Sequence, residues 1–225
     1  MIFLMLFFSV DTLSVKVDGR YEMVKIDGVK GEQVEIIQGE EYVKLLTNNE
    51  VIISGGVVHL KDFKGKYVSE KDKGKEIVVN VPKDRFISCY IWKVDTVIIS
   101  NIKGGLFFDN GMNDGIIKII NTSGNISFDG RVNYSPVSIV HHRGNLSVDL
   151  MAGRGRFYVE DLEGKVLLSM ACDTLVLKKI KGDIEGKVFA KEIKVIGGEG
   201  NIDIHVPWDC KVKIEKRKGE ININR

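Results

Sequence analysis

The sequence predicts an all-β fold, specifically a β-solenoid with coils of 18–20 residues, and three observations carry that prediction. The chain of 225 residues has 24 glycines but only three prolines, and its Val, Ile, Leu and Phe fall in short alternating runs. That pattern favours strands joined by tight turns over helices. Glycines recur at 104, 124, 144, 164, 182, 200 and 219, in steps of 20, 20, 20, 18, 18 and 19 residues. A separate set of apolar positions keeps the same step, so two independent signals report one repeat.

The first predicted strand of each coil follows its glycine. Its paired apolar positions are Leu106 and Phe108, Ile126 and Phe128, Leu146 and Val148, Val166 and Leu168, Ile202 and Ile204, and Ile221 and Ile223. Ile184 with Gly186 is the weak member of this series. The second strand carries Val97 and Ile99, Ile117 and Ile119, Val137 and Ile139, Phe157 and Val159, Leu175 and Leu177, Ile193 and Val195, and Val212 and Ile214. Where the glycine step shortens, this strand's step shortens with it. Successive side chains on a strand point to opposite faces, so each apolar pair points one way and the residues between point the other. One coil cannot bury its apolar pairs, but parallel stacking at about 4.8 Å builds a continuous core from them.

A further coil is expected to begin with Ile77 and Val79, twenty residues before Val97 and Ile99, which makes 76–225 the regular β-solenoid. Residues 1–75 are expected to be a β-rich N-terminal region, either irregular first coils or a capping domain. One candidate series there is Val15 and Val17, Val34 and Ile36, Val51 and Ile53; another is Val24 and Ile26, Val43 and Leu45, Val58 and Leu60. The polar run KGKYVSEKDKGKE, 64–76, reads as the loop between the two regions. The opening MIFLMLFFSV is half the roughly twenty residues a spanning helix needs. It reads as a strand or cap packed on the fold, or as the tail of an export signal.

Composition narrows the function classes. At 33 basic and 31 acidic side chains the formal charge is +2, too small to imply a polyanionic partner, and no nucleic-acid partner is expected. The three cysteines, Cys89, Cys172 and Cys210, are odd in number and lack CxxC spacing, which reads as small buried thiols and not as a disulfide framework or zinc site. There is no GxSxG elbow, P-loop or HExxH pair.

The segments EIVVNVP at 76–82, the turns SGNI, RGNL, KGDI and EGNI at 123, 143, 181 and 199, and the ending HVPWDCKVKIEKRKGEINI resemble a family of bacterial adhesin-like β-helix domains of unknown function. The resemblance spans about 150 of the residues in the sequence. It implies a right-handed parallel β-helix, a cell-envelope or extracellular location, and no established catalytic residues. A cytoplasmic location stays open because no complete signal or anchor is evident.

The candidate site is an outer polar row. Asp109, Asp129 and Asp149 follow the repeat glycine by five residues, and Asn125 with Ser127 recurs as Asn145 with Ser147. Short polar side chains favour turns and bond locally. The alternatives are a Ca²⁺ ladder and the carboxylate pair of a glycosidase. His141 and His142 read as one or two exposed turn histidines, Gly153-Arg154-Gly155-Arg156 as a turn with exposed arginines, and the basic end Lys211, Lys213, Lys216, Arg217 and Lys218 as protection of an open strand edge.

These features predict a non-enzymatic β-solenoid that presents a rigid surface for adhesion or assembly, with no cofactor and no catalytic or metal site. The expected partner is a surface polymer, a protein or another copy of the chain. A carbohydrate-active β-helix enzyme with an acidic groove and a self-assembling cytoplasmic scaffold are the alternatives.

Overall fold

The structure, a computed structural model, describes residues 12–21, 23–30, 34–38, 41–45, 50–54, 57–60, 63–67, 76–110, 115–133 and 136–225. MIFLMLFFSV and positions 68–75 of the polar run lie outside them. The described chain is a stack of parallel strands in two faces, a β-solenoid. Face I runs through Thr12–Tyr21, Phe86–Val94, Leu106–Asn110, Ile126–Asn133, Leu146–Gly153, the starts of Val166–Lys181 and Ile184–Glu199, then Ile202–His205 and Ile221–Asn224. Face II runs through Glu76–Pro82, Met23–Val29, Thr96–Ser100, Ile116–Ser123, Val137–Arg143, Arg156–Glu163, the later parts of the same two long strands, and Lys211–Glu215.

The inner side chains are the alternating pairs of the sequence. Leu106, Phe108, Ile126, Phe128, Leu146, Val148, Val166 and Leu168 are buried from face I, and Val97, Ile99, Ile117, Ile119, Val137, Ile139, Phe157 and Val159 from face II. At the centre the Phe128 ring lies 5.1 Å from Phe108 and 5.6 Å, edge to face, from Phe157 on the opposite face. All three thiols are free and buried, and burial pushes each pKa up, which disfavours the nucleophilic thiolate.

The N-terminal region departs from the sequence reading. Ile77 and Val79 do not stack on Val97 and Ile99: Val24 and Ile26 lie between, paired in parallel with both. Val15 and Val17 likewise pair with Cys89 and Ile91 on one side and with Val51 and Ile53 on the other. Val34 and Ile36 instead sit in an antiparallel hairpin with Val43 and Leu45, and Val58 pairs antiparallel with Ile53. Within the expected loop at 64–76, residues 64–67 belong instead to the strand Phe63–Tyr67, antiparallel to Val57–Leu60, and residue 76 to the strand Glu76–Pro82.

One corner explains two further departures. Asn101, Asn121, His141, Asp161, Lys179 and Lys216 all adopt φ between 53° and 60°, three residues before a repeat glycine. The left-handed residue turns the chain so that its successor points inward: Ile102, Thr122, His142, Leu162 and Ile180 form a buried corner column. His141 is outside, its Nδ1 2.7 Å from Asp161 Oδ2, whereas His142 is 1% exposed. Of the one or two exposed turn histidines expected, His141 is exposed and His142 is not, because the corner, and not strand alternation alone, sets its direction.

Nδ1 of His142 lies 3.0 Å from the Thr122 hydroxyl and 3.2 Å from the Thr122 carbonyl oxygen. A carbonyl only accepts, so Nδ1 carries the proton, and buried Nε2 has no hydrogen-bond partner among the described residues. Burial lowers the His142 pKa from 6.5, and the surrounding backbone at Asn145, Thr122 and Gly144 partly opposes it. The unfolded state therefore binds the proton first as pH falls. Stability should decline below about pH 6.5, by at most about 1.4 kcal/mol per pH unit from this group. Urea melts at pH 7 and 5 should show a smaller acid loss in His142→Leu than in the parent; equal losses would refute the assignment.

Arg217 also differs from its expected place at an exposed basic edge. Its guanidinium turns into the corner and donates to the carbonyl oxygens of Ile180, Gly182 (2.6 Å) and Gly200 (3.1 Å). Gly198 makes room for it, since a Cβ there would meet Arg217 Nη1 at 2.7 Å. Lys211, Lys213, Lys216 and Lys218 are exposed as expected.

Candidate functional site

The outer side chains of face I form two rows in strict register. Phe107, Ser127, Ser147, Leu167, Glu185, Asp203 and Asn222 make one, and Tyr90, Asp109, Asp129, Asp149, Ser169, Lys187, His205 and Asn224 the other. The structure thus brings Asp109, Asp129 and Asp149 into one ladder, about 4.8 Å apart as parallel strands require. Asp129 and Asp149 are exposed and Asp109 half-buried.

The asparagines behave differently. Asn145 Oδ1 accepts from Lys165 N at 3.0 Å, Asp183 Oδ1 from Asn201 N at 2.8 Å, and Asn201 Oδ1 from Glu220 N at 3.1 Å. The residue after the repeat glycine therefore ties one coil to the next, so Asn145 is a structural link. Asn125 occupies the equivalent exposed place one coil earlier.

The two faces spend their polar groups differently. On face II several outer charges pair with one another, Lys178 with Glu160 at 2.7 Å, Lys194 with Glu192 at 2.9 Å and Lys213 with Glu215 at 2.7 Å, and Arg156 lies over the Tyr158 ring, while Lys118 and Lys211 have no ion pair with any described residue. These partners hold the Glu160 and Glu215 carboxyls below their usual range, chiefly through the lysine hydrogen bonds. On face I, Ser127, Asp129, Ser147, Asp149, Ser169, Lys187 and His205 make no side-chain hydrogen bond or ion pair with any described residue. Glu185 pairs with Lys165 at 2.8 Å, and Asp203 accepts from the Asn222 and Asn224 amides.

A groove of about 420 Å³ opens on face I, and Asp149, Ser169, Glu185, Lys187, Asp203 and His205 line it, with Leu167 and the backbone of Gly186. Gly186 stands in the inner column between Leu168 and Ile204, the place where other coils put an apolar side chain. Its φ is +136°, and a Cβ would meet Leu168 O at 1.9 Å, so the backbone approaches its neighbour as only glycine allows.

Sequence reasoning missed Glu185, Lys187, Asp203 and His205 because they break the polar pattern of the earlier coils. The available signal was Gly186, the one weak member of an otherwise apolar series. Among the described residues no three His, Cys, Asp or Glu side chains converge as a metal ligand set.

No family model and no curated protein matches the chain. A solved structure described as a "putative cell adhesion protein from Clostridium sporogenes ATCC 15579" aligns with 96% of this chain and 93% of its own, at 10% identity and a TM-score of 0.21. Likeness at that level carries no functional information, and the β-solenoid assignment stands on the strand register itself.

Proposed function

We propose that the protein is a non-enzymatic binding solenoid that presents face I as a rigid, multivalent surface for adhesion or assembly. The observation that supports this reading is a contrast between the faces: on face II Lys178, Lys194 and Lys213 are each paired with a glutamate, whereas on face I Ser127, Asp129, Ser147, Asp149, Ser169, Lys187 and His205 make no side-chain hydrogen bond or ion pair with any described residue. Groups already fixed on paired strands lose little freedom when a partner binds, which favours affinity from many weak contacts.

Beads carrying the full chain should be retained on at least one of three coatings: cell-wall polysaccharide, gelatin, or the chain itself. Combining Asp129→Ala, Asp149→Ala and Lys187→Ala should lower retention at least about tenfold, a loss of about 1.4 kcal/mol. The face II pair Lys194→Ala and Lys213→Ala should leave it unchanged. Retention on none of the coatings, or equal loss from both variants, would sink the reading.

The groove also favours a second reading, a carbohydrate-active enzyme, because Asp149, Glu185 and Asp203 place three carboxylates on one concave surface. Release of reducing ends from a polysaccharide, abolished by Asp149→Asn, would replace the binding reading with this one.

A further inference from the structure

We propose that the face I groove is a binding site for an uncharged or amino-sugar oligosaccharide, with exposed Phe189 and Trp208, farther along the two coils that line it, as apolar platforms. The proposal rests on the face I reading above and assigns its ligand class.

Two features of the surface converge here. Phe189 is 64% exposed and Trp208 78% exposed, far more than a large aromatic side chain in a well-packed fold. Phe189 is the next outward residue after Lys187 on the same strand, and Trp208 follows His205 by three residues on the following coil. Leu167, 40% exposed, lies in the groove itself. A polar groove with apolar surface within it, and exposed aromatic rings farther along the same two coils, fits a sugar, whose ring carries apolar C–H faces and a rim of hydroxyls.

Each hydroxyl both donates and accepts, and the groove offers both roles. The carboxylates of Asp149, Glu185 and Asp203 accept, Lys187 donates, and Ser169 does either. The volume lies within the range of small-molecule sites and suits a short run of sugar units. An extended peptide is disfavoured for a separate reason. It would bind by adding a strand to a free sheet edge, yet the strands beneath the groove are paired on both sides. Charge narrows the class further: Lys165 neutralises Glu185, and Asp149 and Asp203 against the Lys187 ammonium still leave a net negative groove that disfavours a polyanionic glycan and accepts a neutral or cationic one.

The test titrates the full chain with cellotetraose, chitotetraose and tetragalacturonate, using calorimetry and tryptophan emission. Cellotetraose or chitotetraose should bind with a Kd below about 1 mM and alter the emission, while tetragalacturonate should not bind. Trp208→Ala and Asp149→Ala should each weaken binding at least about tenfold with unchanged far-ultraviolet dichroism, and Lys194→Ala should have no effect. No heat with any of the three sugars, preference for tetragalacturonate, or indifference to both groove variants would overturn the assignment. If the triple face I variant still abolishes bead retention in that event, the face survives and only the ligand class falls; if retention is also unaffected, both fall. Sugar cleavage would uphold the glycan site and overturn the non-enzymatic role.

Discussion

Replacing Gly144 by alanine is expected to destabilise the fold by on the order of 3 kcal/mol, a fall in Tm of roughly 6–12 °C for a chain of this size. Gly144 has φ +134°, and a Cβ on it would lie 2.0 Å from the Gly124 carbonyl oxygen and 2.7 Å from its carbon. Neither atom can retreat. The corner glycines from Gly124 to Gly200 donate their N–H to the coil that follows, as Gly124 does to Arg143 O at 3.0 Å and Gly144 to Glu163 O at 2.8 Å. Moving the corner would therefore break ladder bonds in two coils. Gly197 is the control, with φ +68° and no atom within 4 Å of an added Cβ. Gly197→Ala should cost only about 1 kcal/mol, the conformational penalty without the clash. Thermal melts that show equal losses for the two variants would refute the crowding argument.

Truncating Phe128 to alanine is expected to cost about 3–5 kcal/mol. The ring is fully buried and touches aromatic neighbours from both faces, so the cavity it leaves is walled by side chains held in stacked coils. Partial collapse would have to shift Phe108 and Phe157 together with the strands that carry them. Because each coil contacts only its neighbours, the damage should be local. Hydrogen exchange should accelerate most in Leu106–Asn110 and Leu146–Gly153, while Ile202–His205 keeps most of its protection. Phe128→Leu, which keeps more of the volume, should cost less than half as much in urea melts. A uniform rise in exchange along the stack, or equal costs for the two variants, would count against this account.

The coils were legible because a stacked strand repeats its demands. Each inner position needs an apolar side chain and each tight corner a glycine, so Leu106 to Ile202 and Gly124 to Gly219 announce themselves by spacing. The outer row was legible in its first half for the same reason: Asp129 and Asp149 share a register position as well as a sequence offset. Its second half was not, because outward positions carry no packing requirement, and Ser169, Lys187 and His205 share nothing but place. Gly186 looked like a lapse in the repeat and proved to be the floor of the groove.

Burial of His142 could not be read from alternation, since it depends on the left-handed turn at His141. Insertion of Met23–Val29 between Glu76–Pro82 and Thr96–Ser100 was hidden for a different reason. It joins segments about fifty and seventy residues apart, and parallel strand pairing between such distant segments leaves no local period to detect. By itself, then, the sequence determined the architecture of the coils, because inner packing and tight corners restrict residue type at every repeat. Only the tertiary structure decided which strands lie beside one another at the start of the stack, which outward polar groups stay unpaired and where the groove opens, because those properties arise from neighbours across coils and not from neighbours along the chain.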